Sequence, residues 1–233
     1  MEEVISKKLN TEIILGPGAS AAKIELQPGE HFTAEAGAMI AMSPDIKMTT
    51  STHKKQSGGV VKALKRMLSG ESFFLNHYSA DVKPGTVWLG TTLSGDMKAH
   101  QLHGEGIIVQ GGAYVASSPD IEVDFNWQGF KKVFSGEGLF WLNLHGEGTV
   151  IFNSFGAIYP IDIDGEHIVD TGHIVAFEES LDFTLTKAGK SWVSSFLGGE
   201  GLVCKFNGKG RVWVQSHNPS SFGKLLGPTL LPR

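Results

Sequence analysis

The chain has a single cysteine in 233 residues, which excludes any intrachain disulfide. Cys204 stands in the apolar run Leu202-Val203-Cys204. That is the setting of a buried, inert thiol, whereas a catalytic thiol needs an electropositive and partly open site. A reducing compartment fits this cysteine usage. Long hydrophobic runs are also missing: no stretch approaches the roughly 18–20 apolar residues that span a bilayer. The opening Met1-Glu2-Glu3 has neither the apolar core of a secretory signal nor the Arg-rich, acid-poor character of a mitochondrial presequence. A cytoplasmic location is therefore expected. No excess of basic charge is present either, with 20 Lys+Arg against 24 Asp+Glu and a net charge of −4. This balance speaks against nucleic acid as the main partner, because phosphate binding draws on a basic surplus. Disorder is excluded by a hydrophobic content of 41%.

Familiar catalytic signatures are absent as well. The sequence holds no Gly-x-Ser-x-Gly elbow, no Walker loop and no Rossmann fingerprint, and no helix is expected after Gly104-x-Gly106. A cupin-type metal site would want a His-x-His pair on one strand, and none occurs. The nearest cluster is His100-x-x-His103-x-Glu105, whose histidines are three apart and so face opposite sides of a strand. Asp162-x-Asp164-Gly165-Glu166, with Asp170, has calcium-loop flavour, but position twelve of that loop is His173 instead of a glutamate. No metal, no cofactor and no catalytic residue is assigned.

Glycine, in contrast, is abundant: 30 of 233 residues, about twice the usual ~7%. The glycines mark a pattern that recurs three times. A Gly-Glu element opens each repeat, at Gly29-Glu30-His31-Phe32, Gly104-Glu105-Gly106-Ile107 and Gly165-Glu166-His167-Ile168. Each is followed by a second glycine and a tetrad, Ala38-Met39-Ile40-Ala41, Ala113-Tyr114-Val115-Ala116 or His173-Ile174-Val175-Ala176. Ser-Pro-Asp-Ile follows in the first two repeats, and Glu178-Glu179-Ser180-Leu181 in the third. Further Gly-Glu elements stand at Gly70, Gly136 and Gly199, and a strand then begins at Gly85, Gly148 and Gly210. Gly29, Gly70, Gly104, Gly136, Gly165 and Gly199 are read as structural turns. Two landmarks in the same order three times indicate triplication.

Alternation such as Val212 and Val214 against Arg211, Trp213 and Gln215 predicts half-buried strands. Residues 139–144 and 149–153 read as a hairpin, and Asp164-Gly165 and Asn207-Gly208 as two-residue hairpin turns. Residues 60–68 are the exception: Val60, Val61, Leu64, Met67 and Leu68 have the spacing of a short amphipathic helix. The expected fold is all-β, with three tandem repeats (about 11–95, 96–156 and 157–217) packed as one body, 1–233, around a pseudo-threefold axis. Each unit is too small to bury a good core alone. Residues 218–233, with Pro219, Pro228 and Pro232, are expected to form an extended C-terminal arm.

The Gly37-Ala38-Met39 and Gly112-Ala113-Tyr114 elements, the Met42-Ser43-Pro44 and Ser117-Ser118-Pro119 elements and the Gly-Glu strands at 70, 136 and 199 resemble one family. It is the "altered inheritance of mitochondria" series, member twenty-four, and the resemblance covers about residues 10–217. It implies a fold similar to the tryptophan-RNA-binding attenuation protein, with three β-rich repeats in one chain. It implies no established enzymatic activity. Fungal relatives are associated with mitochondrial inner-membrane organisation, a role that does not transfer to a chain without a presequence. RNA binding does not transfer from a remote fold relative either.

One charge pattern remains. Lys54, Lys55, Lys62, Lys65 and Arg66 precede the first of these strands, Lys131 and Lys132 the second, and Lys187 and Lys190 the third. Threefold arrangement would gather these nine cations on one face able to meet an anionic membrane surface. The alternative is a solvated loop face, with the helix packed on the body or on another subunit. The function expected is a non-catalytic β-scaffold that acts on a protein partner, on itself as a homo-oligomer, or on an anionic surface. The competing reading is a cupin-like metal- or small-molecule-binding enzyme, which elemental analysis after dialysis would reveal.

Overall fold

The computed structural model describes residues 8–52, 74–125, 140–187 and 202–230. The helix expected over 60–68 lies outside them, as do Gly70, Gly136 and Gly199. Among the described residues the chain is all-β apart from one short helix and brief 3-10 turns. The strands are β1 (Asn10–Ile14), β2 (Ala21–Leu26), β3 (His31–Glu35), β4 (Met39–Met42), β5 (Ile46–Thr52), β6 (Phe74–Ala80) and β7 (Gly85–Leu89). They continue as β8 (Met97–Gln110), β9 (Tyr114–Ser117), β10 (Ile121–Asp124), β11 (Trp141–Asn153), β12 (Ile158–Asp170), β13 (Ile174–Glu178), β14 (Asp182–Lys187) and β15 (Leu202–Gln215). One sheet runs β1-β2-β7-β4. The other runs β12-β15-β13-β8-β11-β9-β3-β6-β5, with β10 added to β11 and β14 to β15. Neither sheet closes into a barrel.

Period-2 patterning explains the smaller strands. β2 buries Ala22, Ile24 and Leu26, β3 buries Phe32 and Ala34, and β7 buries Val87 and Leu89. Phe32 stacks on Tyr78 with ring centroids 4.9 Å apart. Burying one such side chain fully contributes about 1.5–3 kcal/mol. β11 is different: Gly148–Asn153 is buried without interruption. That is the mark of a strand covered on both faces.

Three hairpin expectations are corrected by the long strands. His145-Gly146-Glu147-Gly148 does not turn the chain back; it is a bulge inside β11, which stays paired with β8 on both sides of it. Asp164-Gly165 and Asn207-Gly208 are not tips either, because Gly165 lies opposite Gly208 in the middle of the β12–β15 ladder. Both glycines have left-handed φ, +99° and +114°. The sequence cue is a requirement for positive φ, and a sharp bend within a strand satisfies it as well as a reversal does. Gly29, at φ +90°, lies in the link between β2 and β3. Gly104, at φ +107°, lies inside β8.

Two prolines interrupt the ladders near the start of the chain. β2 with β7 and β3 with β6 pair antiparallel as short ladders. Further along the chain, β8–β11 and β12–β15 are instead single long ladders. The interruptions fall at Pro28 and Pro84, which have no N–H for a ladder.

A short strand lies on each of these ladders with a one-residue irregularity. Met39 and Ala41 face Leu89 and Trp88. Tyr114 and Ala116 face Phe152 and Ile151. Ile174 and Ala176 face Val214 and Trp213. Three hydrophobic clusters result, and they cross the sequence repeats. The first combines Ile24, Phe32 and Leu89 with Val115, Ala116 and Ile151. The second combines Leu142 and Val150 with Val175, Ala176 and Trp213. The third gathers Phe177, Cys204 and Phe206 with Ile108 and Trp141.

The expected extended arm is corrected in part: Pro219–Leu226 is an α-helix, α1. Pro219 stands in its first turn, where no N–H is needed, and the Asn218 side chain accepts from Ser220 N and Ser221 N. Among the described residues no helix is long and apolar enough to cross a membrane.

Candidate functional site

Two strand pairs join stretches distant in sequence edge to edge. β9 lies on β3, with Ser117 opposite Thr33 and Ala116 opposite Ala34. β13 lies on β8, with Phe177 opposite Ile108 and Ala176 opposite Val109. At the second seam is an acidic cleft of about 290 Å³, lined by Glu105, Gly106, Glu178, Glu179 and Ser180.

The carboxylates there are tied to the scaffold. Glu179 N donates to Gly106 O at 3.0 Å. The Glu179 side chain accepts from Asn143 Nδ2 at 3.0 Å and lies 3.5 Å from His145 Nδ1. Glu178 accepts from Arg211 N at 3.1 Å. Gly106 leaves room for this arrangement: a Cβ there would fall 2.1 Å from Glu179 Oε2 and push the carboxylate aside. Glu178 has serine counterparts. Ser43 Oγ accepts from Thr86 N at 2.9 Å and Ser118 Oγ from Thr149 N at 2.8 Å. At each of these three places a side-chain oxygen accepts from the backbone of a ladder strand. No cluster of three metal-ligating side chains occurs among the described residues.

The histidine cluster is not brought together. His100 turns inward, its ring 4.8 Å from that of Trp213. Burial lowers its pKa, so it is neutral at neutral pH. His103 is exposed, and its backbone N–H donates to Glu105 Oε2 at 2.9 Å. The acidic run near Asp162 is also dispersed: Asp162 pairs with Arg211 at 2.6 Å and Glu166 with Lys205 at 2.6 Å. Asp170 accepts from Gly172 N at 2.7 Å. Cys204 is buried, and desolvation pushes its thiol up to about 12.

Of the basic residues singled out above, Lys54, Lys55, Lys62, Lys65, Arg66, Lys131, Lys132 and Lys190 lie outside the described residues. Lys187 ends β14, opposite Leu202. Most other cations meet carboxylates: Lys23 with Glu25, Lys47 with Asp81 and Lys83 with Asp45.

Sequence reasoning missed Glu35. It ends β3 on the face opposite Phe32 and Ala34, where alternation predicts a solvated side chain. It is instead half-buried, and burial pushes its carboxyl up to about 7. The cover is tertiary, so no local pattern could have disclosed it.

The comparisons with known proteins agree with this architecture. The chain is 30% identical over 210 residues to an uncharacterised protein of Streptococcus pyogenes serotype M6, covering 88% of this chain and 84% of that protein. It is also similar to an X-ray crystal structure of a protein from Streptococcus pyogenes, with a TM-score of 0.78 and 27% identity. That likeness covers 96% of this chain and 100% of the other. The family model described as mitochondrial biogenesis AIM24 matches residues 12–217, nearly the whole ladder system from β1 to β15, and the chain belongs to that family.

Proposed function

We propose that the protein is a non-catalytic β-scaffold of three copies of one unit, acting by association with a protein partner or an anionic surface. Each unit is read as akin to the tryptophan-RNA-binding attenuation protein fold, as the family resemblance implies. The observation that supports the reading is where the basic residues fall along the chain. Four cations on the strands, and Lys83 in the link between β6 and β7, are held by carboxylates. Lys54, Lys55, Lys62, Lys65 and Arg66 instead fall in 53–73, Lys131 and Lys132 in 126–139, and Lys190 in 188–201, with Lys187 just before it. Each of these segments connects two strands that pair with each other: β5 with β6, β10 with β11, and β14 with β15. Thr52 faces Phe74 where the first segment begins and ends, and Lys187 faces Leu202 at the third. Equivalent entry points support one shared basic face. The functional unit is then a surface rather than a pocket, since the acidic carboxylates at the second seam are engaged in holding the strands.

Co-sedimentation with vesicles at low and high salt tests the surface version. Binding that grows with anionic lipid and falls with salt is expected. Binding indifferent to lipid charge would refute it and leave a protein partner, to be captured from the native host.

A further inference from the structure

We propose that the chain assembles head-to-tail with copies of itself, β4 of one copy adding to the free edge of β12 in the next. The inference deepens the scaffold reading above and rests on its three-unit pattern.

Two internal seams have one register. At the first, Thr33 faces Ser117 and Ala34 faces Ala116. At the second, Ile108 faces Phe177 and Val109 faces Ala176. Thr33 and Ile108 each follow the fourth residue of the Gly-Glu element, and Ser117 and Phe177 each follow the tetrad. The rule therefore joins the short strand of one unit to the Gly-Glu strand of the unit before it. Applied once more, it sets Met42 opposite Val169 and Ser43 opposite Ile168. Within the chain this third seam is not made. Among the described residues β4 pairs with β7 alone and β12 with β15 alone.

Burial marks the same two edges. Val115 and Val175 are 0% exposed, yet their counterpart Ile40 is 60% exposed. Phe32 and Ile107 are 0% exposed, yet their counterpart Ile168 is 61% exposed. Met39 and Met42 are likewise open, at 37% and 38%. The cores agree. Val115 and Ala116 complete the first cluster, and Val175 and Ala176 the second. The third contains no such pair, while Ile40 and Ala41 stand unused. An apolar strand left open beside an incomplete core is a site for strand addition. What fits it is the strand that the same seam already accepts twice. The contact is heterologous, because the two edges differ. It propagates into a ring if the rotation closes and a filament if it does not.

The test uses the full chain and two variants, Ile40→Lys and Ile168→Lys. Each changes an exposed side chain, so the far-UV circular dichroism spectrum should match wild type. By sedimentation velocity the wild type should be larger than one chain, and each variant alone should be monomeric. Mixed in equal amounts, the variants retain one good β12 edge and one good β4 edge, so they should form a heterodimer and nothing larger. A monomeric wild type would overturn the proposal, as would variants that still assemble or a mixture that stays monomeric. A wild type that is monomeric yet binds anionic vesicles or another protein would overturn self-assembly alone and leave the scaffold reading standing.

Discussion

Glu35 links stability to pH in a direction opposite to most carboxylates. It ends β3, half-buried, and burial lifts its pKa from 4.5 to about 7. The folded state therefore holds the proton more tightly than the unfolded chain does. Its contribution is fully present below pH 4.5 and is lost as pH rises through 7. Raising the carboxyl from 4.5 to about 7 sets a ceiling of about 3 kcal/mol. Urea unfolding at pH 5 and pH 8 measures it. Other groups titrate over this range, so the comparison is with Glu35→Gln, which stays neutral and close in shape. Wild type should lose about 2–3 kcal/mol more than the variant between the two pH values. At pH 8 the variant should be the more stable protein. Parallel pH profiles for the two would refute the reasoning.

Other consequences are checked in the same way. Ser118→Ala leaves the buried Thr149 N–H without its 2.8 Å acceptor and should cost about 1–3 kcal/mol by urea titration. Ser43→Ala, at the more open first-repeat counterpart, should cost less. Phe177→Ala removes a ring whose centroid lies 5.1 Å from that of Phe206 and 5.9 Å from that of Trp141. It should cost about 3–5 kcal/mol. Cys204, buried and with its thiol pushed up to about 12, should be silent to a thiol reagent at pH 8 and react fully once denaturant is added. Rapid labelling of the native protein would show that the site opens.

Class was legible in the sequence because strand alternation is local. Val212 and Val214 of β15 point to the core as their alternation predicts, but Trp213 and Gln215 on the other face are buried too, so the strand is covered on both sides instead of one. Recurrence of Gly-Glu elements and tetrads was legible too, and the same elements form the seams. Chain direction at the glycines was not. Positive φ at Gly165 and Gly208 serves a bend as well as a reversal, and only the long pairing of β12 with β15 decides between them. The start of the tail was misread because three prolines suggest extension, whereas Pro219 after Asn218 is a good helix opening. The candidate site was least legible. Glu178 takes the place of a serine that accepts a backbone N–H, and a sequence shows the substitution without the bond. Glu35 is covered from a distance, which periodicity does not report.

The crossing of the cores has a consequence for synthesis. Ile24, Phe32 and Leu89 form a cluster that Val115, Ala116 and Ile151 complete. On the ribosome Ile151 follows Leu89 by about sixty residues, or roughly 3–12 s at roughly 5–20 residues per second. Throughout that interval the nascent chain carries a half-covered apolar surface. The same wait recurs for the second cluster until Trp213 emerges. Ribosome-bound chaperones would meet this protein repeatedly, and a stall shortly after β7 would yield a sticky product instead of a smaller folded one.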